Sequence, residues 1–227
     1  MSPDKFELKK QVRQFLETER SFGVTEIPGR PAPDQDAAVA GVSKKHALER
    51  LESEFKNCML CGLSATRTQV VFGSGNADAT LMFVGEAPGY DEDRQGQPFV
   101  GAAGQLLTKI IEAMKLRRED VYSANCLKCR PPNNRSPLPS EITTCQPILM
   151  RQIEVIRPKI ICALGKFAAQ TLLQTQDPIS RLRGRFFDWN GMKILPTFHP
   201  AYLLRNPADK KLVWEDMQKI MKELSLS

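Results

Sequence analysis

No apolar run in this 227-residue chain approaches the roughly 18 residues that a membrane span needs. Mean hydropathy is −0.33. Charge also fills the opening MSPDKFELKK, where a signal peptide would carry its apolar stretch. Neither a membrane protein nor a secreted one is expected. Cysteine is scarce: six residues are too few for a secreted disulfide scaffold of this length. A reducing compartment follows, with the thiols serving as core groups or metal ligands. Histidine is scarcer still, at two residues, His46 and His199. The glycines match neither the phosphate-loop nor the dinucleotide fingerprint, and no Lys-Ser/Thr pair follows them. A nucleotide-binding enzyme is thereby disfavoured. With 41% hydrophobic and 26% charged residues, the composition is that of an ordinary globule rather than a disordered chain.

What is present is positive charge. Lys and Arg number 32 against 26 Asp and Glu, a net +6, and the isoelectric point is near 9.0. That balance suits a polyanionic partner without requiring one. Residues 5–20 read as an amphipathic helix, followed by a linker rich in Pro, Gly, Ala and Asp. The expected division is therefore a helix plus flexible linker over 1–42 and one domain over 43–227. A second helix, about 43–57, leads into Cys58. Beyond it, short apolar strands at 69–72, 80–84, 121–124, 159–163 and 193–196 alternate with helices at 101–116, 139–156, 165–174 and 208–225. This pattern predicts an α/β three-layer sandwich around a central, mostly parallel sheet. In such folds ligands bind beyond the carboxyl ends of the strands, so the segments after the strands carry the functional reading.

Cys58 and Cys61 form one C-x2-C pair and Cys126 and Cys129 another, with Cys145 following Cys129 after fifteen intervening residues. Four thiolates suit zinc or an iron–sulfur cluster, and spacing alone decides neither the metal nor which four of the five bind. Cys162, inside IICAL, reads as a core thiol. After the second strand, GEAPG breaks the chain so that Glu86 emerges at the strand end; Asp91 and Asp93 read as members of a solvated loop. NCLKCRPPNNR carries Lys128, Arg130 and Arg135 with no acid among them, and RLRGRFFDW adds Arg181, Arg183 and Arg185. These charges suit phosphates or an ordinary basic loop. His199 ends the last strand, placed opposite the GEAPG turn at the same sheet edge. Leu203 and Leu204 beside Arg205 read either as core packing or as a wedge into a base stack.

Together GEAPGYDED (85–93), GQPFVG (96–101), NCLKCRPPNNR (125–135) and FHPAYLLRN (198–206) resemble the family 4, iron–sulfur uracil-DNA glycosylases, over about residues 55–224. The resemblance implies a uracil-DNA glycosylase-like fold, to which the amphipathic segment read above adds an N-terminal helical extension. It implies a [4Fe–4S] cluster on Cys58, Cys61, Cys129 and Cys145, leaving Cys126 out. It also implies a monofunctional DNA repair enzyme that flips uracil out of DNA and hydrolyses its glycosidic bond.

Carried onto this chain, the family's roles place Phe99 against the flipped base. Asn125 reads its N3–H and O4, Glu92 crowds C5, Ala87 lines the pocket and His199 stabilises charge at O2. Glu86 and Asn134 place the water. Arg130, Arg135, Arg183, Leu203, Leu204 and Arg205 contact DNA. Ala87 stands where better-known uracil glycosylases carry an aspartate, so the water-activating group is not assigned. No histidine lies in 129–139, so turnover rather than covalent trapping is expected. The expected partner is uracil-containing DNA, single- or double-stranded, with no membrane. A monomer in the cytoplasm, acting at the nucleoid, is expected, with the N-terminal extension available to a protein partner. The rival readings are a glycosylase-fold protein acting on another deaminated base and a non-catalytic metal-bound nucleic-acid module.

Overall fold

The computed structural model of the chain describes residues 43–226. The expected helix at 5–20 and its linker lie outside the described residues. Six strands form one sheet: β1 (Ser74–Gly75), β2 (Leu81–Gly85), β3 (Tyr122–Asn125), β4 (Ile160–Leu164), β5 (Phe187–Trp189) and β6 (Met192–Thr197). Their order is β1-β3-β2-β4-β6-β5. The four central strands are parallel, and the two edge strands run antiparallel to their neighbours.

The helices are α1 (Lys44–Phe55), α2 (Tyr90–Gln95), α3 (Ala102–Ala113), α4 (Pro139–Ile156), α5 (Gly165–Leu173), α6 (Ile179–Leu182), α7 (Pro200–Arg205) and α8 (Lys210–Glu223). No helix among the described residues is long and apolar enough to cross a membrane.

The central strands are apolar throughout because helices cover both of their faces. Met82, Val84, Ile161 and Ala163 point into a core shared with α1, α4 and α5, through Leu51, Ile148, Ile153 and Ala168. Leu81, Phe83, Ile160 and Cys162 point the other way, onto α3 and α8, through Leu107, Ile111, Met217 and Ile220. The sandwich therefore has three layers, as the alternating pattern predicts. Helix α4 starts with Pro139 in its first turn and Glu141 accepting from the Leu138 N–H at 2.8 Å. It ends at Arg157, in the left-handed region at φ 49°, just before Pro158.

Three local expectations differ. Residues 69–72 are not a ladder strand: Val71 and Phe72 are buried, but among the described residues the one backbone–backbone hydrogen bond on this run is Val71 N–H to the Lys128 carbonyl at 2.8 Å. The edge strand comes later and is two residues long, at Ser74–Gly75. The acidic loop 91–93 is helix α2, and Asp93 is buried, its carboxylate accepting from the Thr68 N–H at 2.9 and 3.1 Å. Strand β5 lies where no element is expected; it pairs with β6 across an Asn190–Gly191 turn, both residues with positive φ.

Candidate functional site

Strand order reverses at β2: β3 lies on one side of it and β4 and β6 on the other. That is the crevice where open α/β sheets place ligands. Gly85 and Asn125 are register partners at the carboxyl ends of β2 and β3. A Cβ on Gly85 would overlap Asn125 Oδ1 and stand 2.6 Å from Phe99 Cζ. Glycine is therefore what lets these two side chains meet at the strand end. Asn125 is 3% exposed, and no hydrogen bond among the described residues uses its side-chain amide. An enclosed amide without a protein partner is a donor–acceptor pair reserved for a ligand.

Phe99 sits in the left-handed region at φ 58°, strained for an aromatic residue and therefore held by its neighbours. Glu92 Oε1 accepts the Val100 and Gly101 N–H groups at 3.0 and 2.9 Å, and its Oε2 accepts the Gly89 N–H at 3.1 Å. Arg118 Nη2 donates to the Pro98 carbonyl at 3.2 Å. Gly104 leaves room for the Phe99 carbonyl against α3.

The Phe99 ring faces His199, with centroids 6.2 Å apart. His199 caps α7, its Nδ1 accepting from the Ala201 N–H at 3.1 Å. The proton is thereby placed on Nε2. Burial, with Arg205 adding to it, holds the imidazole down to about 4, so it is a neutral donor at ordinary pH. Gly165, at φ 87°, opens the space beside it: a Cβ there would stand 3.0 Å from His199 Cβ. Glu86 follows β2 half-buried, and burial raises its carboxyl above the usual range. Ala87, beside it, is half-buried and packs on the α4-side core.

Four of the six thiols meet elsewhere. Cys58, Cys61, Cys129 and Cys145 line one cavity, together with Arg67 and Lys128. No group of three or more His, Cys, Asp or Glu among the described residues could hold a single metal ion; the four sulfurs ring a space instead. Arg67 Nη1 donates to Cys129 Sγ at 3.5 Å and the Lys128 N–H to Cys145 Sγ at 3.3 Å. Burial pushes the Cys129 thiol up to about 11 and raises Cys145 as well. Cys126 is not in the cavity lining; it is 1% exposed, within the core, and burial pushes it up to about 12. Cys162 is buried on the other face of the sheet.

The expected DNA contacts divide. Arg130 stands 5.1 Å over the Tyr90 ring and donates through Nε to Asn134 Oδ1 at 2.7 Å. Asn134 itself is exposed, and none of its hydrogen bonds reaches Glu86, Asn125 or His199. Arg135 is engaged by Glu141 through both terminal nitrogens, at 2.9 and 2.6 Å. Arg183 is turned inward, donating to Asp216 Oδ1 at 2.8 Å and to the Leu212 carbonyl at 2.6 Å. Leu203 is 1% exposed, within the α8-side core, so it cannot serve as a wedge; Leu204 is 47% exposed and Arg205 is exposed beside it. His46 is exposed on α1.

Sequence reasoning missed the supporting residues Gly165, Arg118 and Gln152. Gln152 is 0% exposed, on α4, and accepts from Lys128 Nζ at 2.6 Å. Nothing in a polar residue on an amphipathic helix marks it as buried.

A doubly wound sheet with a partnerless amide at its switch point is the architecture of an α/β fold that binds a ligand beyond its strand ends. Comparison with known proteins narrows the class. The family model of the uracil DNA glycosylase superfamily matches residues 72–218, and the chain belongs to that superfamily. It is 45% identical over 181 residues to a Type-4 uracil-DNA glycosylase of Thermotoga maritima, covering 78% of this chain and 94% of that protein. The Type-4 uracil-DNA glycosylase of Saccharolobus solfataricus is 47% identical over 187 residues, covering 78% and 87%. That of Archaeoglobus fulgidus is 46% identical over 182 residues, covering 77% and 92%.

Proposed function

We propose that this chain excises uracil from DNA by hydrolysing the N-glycosidic bond, leaving an abasic site and an uncut strand. The observation that carries the reading is the convergence of Phe99, Asn125 and His199 around Gly85 and Gly165 at the strand ends. A base inside a duplex is out of reach, so it is extruded at a cost of about a few kcal/mol, and stacking on Phe99 returns roughly 1–3. The Asn125 amide pairs with N3–H and O4, an edge that cytosine does not present. Leaving that amide unpaired is what rejects the wrong base.

Glu92, fixed by three backbone N–H groups, is a rigid wall for the C5 edge, and Ala87 lines the pocket beside it. As the glycosidic bond breaks, negative charge gathers on the uracil O2. The neutral Nε2–H of His199 is the donor aimed at it, and one such preorganised donor is worth about 2.7–4 kcal/mol. Glu86 holds the water. The expected part of Asn134 in placing it would rest on the Asn134 NH2 group, since its oxygen is engaged by Arg130. Arg130, Leu204 and Arg205 are the groups offered to DNA at the rim. Arg135 and Arg183 stiffen the loops beneath.

The thiol cavity fits a [4Fe–4S] cluster on Cys58, Cys61, Cys129 and Cys145. The donors are all cysteine, they surround a space, and two of the sulfurs already receive N–H groups. The cluster would supply four iron–thiolate bonds that clamp the 58–61 loop to Cys129 and α4. Segment 1–42 is expected to be dispensable for excision on short DNA.

The test is incubation of the protein with a single-uracil oligonucleotide, followed by alkali, alongside His199→Ala and Asn125→Ala. Alkali-dependent cleavage at uracil, lost in both variants, supports the reading. Full activity in both variants removes the assigned chemistry. No cleavage by the anaerobically prepared wild type removes uracil as the substrate.

A further inference from the structure

Lys128 carries one of the largest fully buried side chains in the protein, at 1% exposure. Its Nζ donates to the Asn125 carbonyl at 2.8 Å and to Gln152 Oε1 at 2.6 Å, and stands 6.0 Å from the Phe72 ring centroid. Gln152 is fixed in turn, its Nε2 bonded to the Phe72 carbonyl at 3.0 Å and to the Tyr122 hydroxyl at 3.2 Å. The same residue's backbone N–H reaches Cys145 Sγ at 3.3 Å, and its carbonyl accepts from Val71 at 2.8 Å. One residue therefore touches both the strand end that bears the base-reading amide and a sulfur of the thiol cavity.

A buried ammonium without an anion is costly. Among the described residues no carboxylate forms a salt bridge with Lys128. Burial pulls the Lys128 ammonium down to about 8, and the groups that oppose this are the nearby sulfurs of Cys145, Cys126 and Cys129. Two of these three line the cavity, and metal binding would convert them to thiolates.

We propose that Lys128 is a positioning residue that couples the two sites: its ammonium anchors Asn125 for uracil and supplies the counter-charge to the metal-bound thiolates. The inference rests on the cluster and uracil readings above. A positive charge beside an anionic iron–sulfur centre favours its reduced form, so removing that charge makes the centre harder to reduce.

The test compares Lys128→Met with Gln152→Leu in the cluster-loaded full chain. Both delete the same Lys–Gln hydrogen bond, but only the first removes the Asn125 contact and the charge. Two quantities are read: competitive inhibition of excision by free uracil, and the midpoint potential of the iron–sulfur signal. Lys128→Met is expected to weaken uracil inhibition at least tenfold and to move the potential to more negative values. Gln152→Leu weakens uracil inhibition less than Lys128→Met and leaves the potential near wild type.

Equal losses in the two variants, or unchanged uracil inhibition in Lys128→Met, overturn the proposal, because a merely structural lysine would behave so. Should Lys128→Met not fold, Lys128→Arg carries the test. It keeps the charge while its longer head displaces Asn125, so uracil inhibition weakens at constant potential; the reverse pattern overturns the proposal. A wild type with no iron–sulfur signal removes the cluster reading and the counter-charge role with it, while the uracil arm still decides the anchoring role. A wild type that excises no uracil removes the reading of the pocket.

Discussion

The ring of Phe99 lies 6.2 Å from that of His199, tilted by 31°. The two lie a hundred residues apart in sequence, one between α2 and α3 and the other just after β6. Between them they bound a gap whose third side is Asn125. Its width depends on two absent methyl groups, at Gly85 and Gly165.

Gly85→Ala tests that dependence. The added Cβ meets Asn125 Oδ1 and Phe99 Cζ at once, and neither is the free end of a flexible chain. Excision of uracil is expected to fall at least tenfold, measured as kcat/KM on a uracil oligonucleotide. The thermal midpoint should move by only a few degrees, because the strand itself tolerates alanine.

The pH profile separates the two titrating groups of the pocket. His199 is held down to about 4, so its neutral Nε2–H donor persists from alkaline pH to well below neutrality. Glu86 is raised by burial, so its carboxylate is lost as pH falls through a value above the ordinary carboxylate range. The first acid limb of kcat/KM belongs to Glu86, and Glu86→Gln should lower the plateau and abolish that limb. Stability has a separate sign. The unfolded chain protonates His199 near the ordinary histidine value of 6.5, so this contribution is full above that pH and lost as pH falls from there towards about 4. His199→Gln should flatten that part of a denaturation series.

Adjacent leucines should behave oppositely. Leu203 is in the core and Leu204 is exposed. Leu203→Ala is expected to cost about 2–5 kcal/mol in chemical denaturation, the usual range for a buried leucine. Leu204→Ala should leave stability within about 0.5 kcal/mol and reduce excision from duplex DNA more than from single strands, since only the duplex needs prying open.

Iron content distinguishes the thiols. Cys126→Ala is expected to retain the iron of the wild type, because Cys126 belongs to the core and not to the cavity. Cys129→Ala should lose most of it. Equal iron loss in both would place Cys126 among the ligands.

Much of this was legible in the sequence. The central strands announce themselves because burial on both faces forces near-continuous apolar runs, and α4 matches its expected limits, Pro139–Ile156, because proline starts it and proline follows it. Phe99, Asn125, Glu86 and His199 all follow strands, where a parallel sheet leaves its loops free for chemistry. The failures have physical causes. Residues 69–72 have a strand's composition, but composition reports burial and not backbone pairing. Strand β5 is three residues long, and its signal was the Asn190–Gly191 turn rather than its apolar content. Helices α2, α6 and α7 span 6, 4 and 6 residues, too few turns to show a period. The arginines looked alike in sequence. Only packing shows Arg183 bound to buried Asp216 and Arg135 bound to Glu141, while Arg205 is left at the surface.

The residues of the proposed pocket leave the sheet at separate exits: Glu86 after β2, Asn125 at the end of β3, Gly165 after β4 and His199 after β6. No two of these exits share a loop, and the core beneath them ends at the strands. A lineage can therefore replace one contact at a time, altering which damaged base it accepts, while the scaffold keeps its stability. Such modularity makes base preference evolvable in single steps.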